Sequence, residues 1–235
     1  MTSRPAPDAT RPLDRDMNLR IARAYLPGNP LIRWDYYYAR SKLGSDPLYA
    51  GALQALRGST APVMDLGCGL GLLAHALHHD GQALAYLGVD NDVSKIRRAK
   101  RAAAKVGMAR ARFEIVDLAL GLPEHRGSVA ILDVLQYLSA EAQQQLVARV
   151  AAMLTPGARL LIRTGLDDGS RRGHTSRITD RLAHAAGWMQ SVPKVYPNAD
   201  RLRAQLEGAG LETTFAPLYG DTPFNNWLVV AARPS

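Results

Sequence analysis

The 235-residue chain has one cysteine, Cys68, only three phenylalanines, and aromatic residues at 6% of the total. A lone cysteine cannot close an internal disulfide, and with no repeated Cys/His spacing a structural zinc is not encoded. A reducing compartment, and hence a cytoplasmic location, is the expectation. No run of about 18 uncharged apolar residues occurs, which excludes a conventional membrane-spanning helix. Met1 to Pro12 is rich in Pro, Ala and Thr and has no apolar centre, so it reads as a loose tail and not as a signal peptide. From Val93 to Arg112 there is no acidic side chain at all.

That last absence gives the net charge of +8 its shape. Lys95, Arg97, Arg98, Lys100, Arg101, Lys105, Arg110 and Arg112 crowd one segment. Such a face attracts polyanions or an acidic protein, although a solvated helix has the same pattern. The lack of a zinc-finger spacing, of an aromatic-and-glycine RNA-binding motif and of a basic terminal arm argues against nucleic acid. With 47% hydrophobic and 21% charged residues there is material for a full-size core, and the length fits one domain with small additions.

Three parts are expected: a flexible tail over 1–13, an N-terminal helical cap over 14–58, and a main domain over 59–235. In the cap, Asp14 to Tyr25 can form a helix that Pro27-Gly28-Asn29-Pro30 stops, because proline removes donors and glycine permits reversal. A second segment carries Trp34, Tyr36, Tyr37, Tyr38 and Tyr49. Three consecutive tyrosines cannot share one helical face, so at least one lines a groove or meets solvent. From Ala61 onward short β-like runs alternate with helical stretches, the pattern of a parallel sheet with crossover helices. Strands are expected at 62–66, 83–89, 111–116, 128–132, 158–164, 211–217 and 224–232. Helices are expected near 70–79, 92–106, 139–154, 177–186 and 198–207.

The most informative stretch is Val63-Met64-Asp65-Leu66-Gly67-Cys68-Gly69-Leu70-Gly71. Apolar residues run into a carboxylate and then a turn with three glycines that opens a helix, where backbone can approach a ligand closely. The second strand ends in Gly88-Val89-Asp90, and a carboxylate there can accept hydrogen bonds from both hydroxyls of a ribose. It would repel the 2′-phosphate of NADP, and Asp65 sits poorly against a dinucleotide pyrophosphate. An amino-acid head with an ammonium group suits Asp65 better, which points from nicotinamide towards S-adenosylmethionine. Cys68, inside this turn, reads as a small space-filler.

On these residues the chain resembles the class I S-adenosylmethionine-dependent methyltransferases, in their small-molecule branch. The resemblance implies a Rossmann-like α/β fold: a seven-stranded, mostly parallel sheet with an antiparallel last strand, helices on both faces and a short N-terminal helical cap. It implies that Asp65, Gly67, Cys68, Gly69 and Gly71 surround the methionine moiety, that Asp90 holds the ribose, and that Asn91 and Asp92 adjoin the adenine. Asp117 and Leu118 match the family's acidic residue and apolar neighbour at the adenine. Ile131 to Leu138 looks like the fourth motif, running past cofactor and acceptor, and so brings in Asp133 and Tyr137.

Methyl transfer needs the acceptor atom aligned with the methyl group, and much of its catalysis can come from positioning. Trp34, Tyr36, Tyr37 and Tyr38 are candidates to cover an acceptor. After the fifth strand, His174 is the preferred base if one is needed, and Arg163 or Arg172 could hold an acceptor carboxylate or phosphate. His75 could face the back wall of the pocket. Asp133-Val134-Leu135-Gln136 is not the Asn/Asp-Pro-Pro-Tyr/Phe pattern of base-nitrogen methyltransferases, and one cysteine cannot run the paired-cysteine mechanism of pyrimidine carbon methylation. No Asp-Asn partner accompanies Asp133, so no metal is expected. The expected function is O-methylation of a small aromatic or acyl secondary metabolite, which an acidic acyl carrier protein could present, by a monomer or homodimer. RNA or DNA methylation, and a catalytically silent cofactor-binding subunit, are the alternatives.

Overall fold

The computed structural model describes residues 10–26, 33–167, 195–222 and 225–234. Asp14 caps α1 (Arg15–Ala24) by accepting from the Met17 N–H at 2.8 Å, and the helix buries Met17, Ile21 and Ala22. Asp46 and Pro47 divide the next segment into α2 (Trp34–Ser45) and α3 (Leu48–Leu56). Helix α3 is buried on nearly every side, whereas α2 buries only Ala39 and Leu43. Expected elements then follow in order: β1 (Val63–Leu66), α4 (Leu72–Asp80), β2 (Tyr86–Asp90), α5 (Val93–Lys105), β3 (Ala111–Ile115), β4 (Ser128–Leu132), α6 (Ala140–Met153) and β5 (Arg159–Gly165). The chain resumes with α7 (Ala199–Gly208), β6 (Glu212–Pro217) and β7 (Asn226–Ala232). The helix expected over 177–186 lies outside the described residues.

All seven strands form one sheet in the order β3-β2-β1-β4-β5-β7-β6. Every pairing from β3 to β5 is parallel, and only β7 runs against its neighbours. This is the Rossmann-like fold of class I methyltransferases. Chain order reverses between β1 and β4, which opens a crevice at their carboxyl ends where ligands bind in sheets of this kind. Among the described residues no helix is long and apolar enough to cross a membrane.

Alternation along the strands assigns each face its cover. Val63, Tyr86 and Leu161 join one core with α1, α3, α4 and α5, while Met64, Val89, Leu160 and Ile162 join the other with α6 and α7. The same alternation puts Asp65 and Arg163 on the face that the N-terminal helices cover, so two charged side chains enter an otherwise apolar layer.

Candidate cofactor and acceptor site

The turn after β1 is built from three left-handed glycines, Gly67 (φ 73°), Gly69 (φ 55°) and Gly71 (φ 75°). Other L-residues adopt this region only at a cost. A Cβ on Gly67 would lie 2.5 Å from Val134 Cγ2, so the absent side chain lets the segment after β4 close onto the turn. At Gly69 nothing lies within 4 Å of that position. One glycine serves packing and the other leaves open space at the crevice.

Asp90 ends β2 nearly buried, accepting from the Gly69 N–H (2.9 Å) and the Asp92 N–H (2.9 Å), one on each oxygen. A carboxylate has about four acceptor positions, so Asp90 braces the glycine turn and keeps capacity for two ribose hydroxyls. Asp65 is buried and accepts from the Tyr86 hydroxyl at 2.6 Å, while its Oδ1 has no partner. Burial pushes its carboxyl up to about 7, against the opposing Tyr86 bond. An unpartnered buried oxygen of this kind fits an ammonium group. Cys68 packs against Gly88, and burial drives its thiol well above the ordinary range, consistent with a space-filling role.

The N-terminal helices reach this turn directly. Tyr25, at the end of α1, donates its hydroxyl to the Leu70 carbonyl at 2.7 Å and packs on the His75 ring at 5.1 Å. His75 is fully buried with neither ring nitrogen partnered, and burial lowers its pKa to about 3, so it is neutral. Helix α2 is tied to α5 by Asp35, which accepts from Arg98 at 2.6 Å.

Across the crevice, Lys42, Asp46, Asp133 and Arg163 form a closed ring of alternating charge. Arg163, 3% exposed, donates through Nη2 to both Asp46 oxygens at 3.0 Å and through Nη1 to Asp133. Lys42 bridges the same carboxylates, at 2.7 Å to Asp46 and 3.2 Å to Asp133. Burial opposes charge at Asp133, but Arg163 and Lys42 outweigh it and hold the carboxyl below its usual range. Asp133 also has φ 61°, a conformation costing an Asp about 1 kcal/mol, and its N–H donates to the Arg163 carbonyl at 2.8 Å.

A family model described as a methyltransferase domain matches residues 58–190, more than half of the chain. The chain belongs to this methyltransferase family. A trans-aconitate 2-methyltransferase of Variovorax paradoxus is 31% identical over 151 residues, which is 62% of this chain and 52% of that protein. The chain thus spans about half the length of that relative. Magnesium protoporphyrin IX methyltransferase of Synechocystis PCC 6803, solved with S-adenosylhomocysteine, superposes with a TM-score of 0.62 at 20% identity, covering 92% of this chain and 93% of that one. An O-methyltransferase family protein of Burkholderia thailandensis gives 0.59 at 19% identity, over 86% and 63%.

Within this methyltransferase domain the expected residues fall into two groups. Asp65, Gly67, Cys68, Gly69, Gly71 and Asp90 converge on one turn, with Asn91 exposed beside it and Asp133 at the end of β4. Asp117 is exposed and accepts from the Ala119 N–H at 2.9 Å, with Leu118 half-buried next to it. Tyr137 lies half-buried in a 3-10 turn (Leu135–Tyr137). Tyr36 packs on the core, whereas Trp34, Tyr37 and Tyr38 are exposed, Trp34 at 77%. Arg163 departs from its expected part: both terminal nitrogens hold Asp46 and Asp133, so it serves the ring instead of meeting an acceptor anion. His174 and Arg172 lie outside the described residues. Lys42 and Asp46 were missed, because an i,i+4 Lys–Asp pair on a helix reads as solvated surface until its distant partners are known.

Proposed function

We propose that this chain is an S-adenosylmethionine-dependent methyltransferase acting on a small organic acceptor, preferentially on an oxygen of an acyl or aromatic compound. The observation that carries the reading is that Asp65, with an unpartnered buried oxygen, leads into the glycine turn, while Asp90, with spare acceptor positions, holds the N–H of Gly69, whose Cβ position is open. When bound, S-adenosylmethionine supplies an electrophilic methyl group on a positively charged sulfur. Asp90 would accept from the ribose hydroxyls, Asp65 Oδ1 would accept from the ammonium, and Gly69 would leave the backbone open to the methionine chain. Asn91, Asp117 and Leu118 would flank the adenine.

The described titratable groups around the crevice favour an acceptor that arrives charged. Asp133 is held low by Arg163 and Lys42, and burial raises Tyr25 and Tyr49. Neither set provides a base near neutrality, and Asp65, which burial raises to about 7, would be engaged by the ammonium; a carboxylate or phenolate needs no base and can react by alignment alone. The acceptor in the name of the Variovorax paradoxus relative, trans-aconitate, is a carboxylate and supports that class. For an acceptor that arrives protonated, His174 is the candidate base. The exposed aromatic rings of Trp34, Tyr37 and Tyr38 would meet the acceptor's organic body, and Tyr137 would border it. An acidic carrier protein presenting an acyl group would suit the basic face of α5.

Calorimetric titration with S-adenosylmethionine tests the reading. Asp90→Ala is expected to weaken binding by about 10- to 150-fold, since charge-assisted bonds to the ribose contribute roughly 1.5–3 kcal/mol. Unchanged affinity in a folded variant would overturn the ribose assignment.

A further inference from the structure

Helix α2 has little apolar anchorage, with Ala39 and Leu43 its buried residues. Charges hold it instead: Asp35 on Arg98 at one end, and Lys42 on the four-membered ring at the other. Within that ring Arg163 and Asp46 are deeply buried, while the Lys42 and Asp133 side chains are each 26% exposed and border the crevice. Asp133 is the one non-glycine residue with positive φ among the described residues. The next residue, Val134, lies against Gly67 of the glycine turn. The conformation of Asp133 therefore governs how the segment after β4 meets the methyl-donor side of the site.

We propose that Lys42 is a positioning residue: from the cap helix its ammonium, with Arg163 on the other oxygen, holds Asp133 in the left-handed conformation and keeps Val134 seated on the glycine turn. Lys42 makes this contact across 91 residues of sequence. Seating of the cap helix is thereby coupled to the shape of the cofactor turn. The proposal rests on the cofactor reading above and adds a residue and a mechanism to it. Removing the ammonium alone leaves Arg163 paired with both carboxylates, so the core survives while the left-handed turn loses its hold on the cap side.

The test is calorimetric binding of S-adenosylhomocysteine to the full chain and to Lys42→Met, Lys42→Arg, Asp133→Gly, Asp35→Asn and the Lys42→Met/Asp133→Gly double variant. Glycine adopts φ near 60° freely and has no need of a clamp. Lys42→Met is expected to weaken binding about 3- to 10-fold. Lys42→Arg should restore it to within about twofold, and on the Asp133→Gly background the Lys42→Met change should be less than about twofold. Asp35→Asn frees the other end of α2 without touching Asp133 and should have less effect than Lys42→Met. Wild-type affinity in Lys42→Met, or the same loss with Asp133→Gly already in place, would overturn the proposal. An equal loss in Asp35→Asn would do so too, by assigning the effect to helix seating alone. Failure of the wild-type chain to bind S-adenosylhomocysteine would instead refute the cofactor reading and remove the proposal with it.

Discussion

Gly67 and Val134 are in contact across the crevice between β1 and β4, so close that a Cβ on Gly67 would lie 2.5 Å from Val134 Cγ2. Gly67→Ala combines that overlap with a left-handed backbone and is expected to destabilise the fold by about 2–4 kcal/mol. Gly69→Ala has the backbone strain without the overlap and should destabilise by only about 1 kcal/mol, while placing a methyl group in the space proposed for the cofactor. Denaturant midpoints of the two variants, with S-adenosylhomocysteine affinity for Gly69→Ala, check the contrast.

Asp65 makes stability depend on pH in a defined direction. Its folded-state pKa of about 7 stands above the ordinary carboxyl value because of burial. The folded state thus holds a proton that the unfolded state releases near pH 4, and the stability of the cofactor-free protein falls as pH rises from about 4 to 7. Asp65→Asn should remove this decline. Urea unfolding at pH 5 and pH 8 measures it, and a contribution that rises with pH in the wild type would contradict the assignment.

Arg163 and Trp34 should behave oppositely on substitution. Arg163→Leu leaves Asp46 and Asp133 with Lys42 alone in a buried ring, and a loss of about 3–5 kcal/mol is expected. Trp34→Ala removes a side chain that is 77% exposed, and its effect on stability should stay within about 0.5 kcal/mol. Thermal unfolding of both variants separates the two roles.

Those two residues also mark where sequence patterns sufficed and where they did not. The βα alternation and the glycine turn carried the sheet, its order of elements and the Asp65–Asp90 pair, because those signals are local and periodic. Strand ends moved by up to three residues, as at β2, where Tyr86 and not Ala83 begins the pairing. A charged residue in the apolar strand around Arg163 looked like a ligand contact. Its partner Asp46 lies 117 residues away, and nothing local in either segment signals the match. Helical geometry requires that consecutive rings diverge, and Tyr37 and Tyr38 do meet solvent, but periodicity alone did not say that Tyr36 would be the packed one.

We propose that the turn from Asp65 to Gly71, with Asp90, holds S-adenosylmethionine. Titrating the folded protein with S-adenosylhomocysteine and, separately, with NAD tests it most directly. One saturable site for S-adenosylhomocysteine, weakened about 10- to 150-fold in Asp90→Ala, with no uptake of NAD, is the predicted result. No binding of S-adenosylhomocysteine by folded protein, or saturable binding of NAD at the same turn, would contradict it.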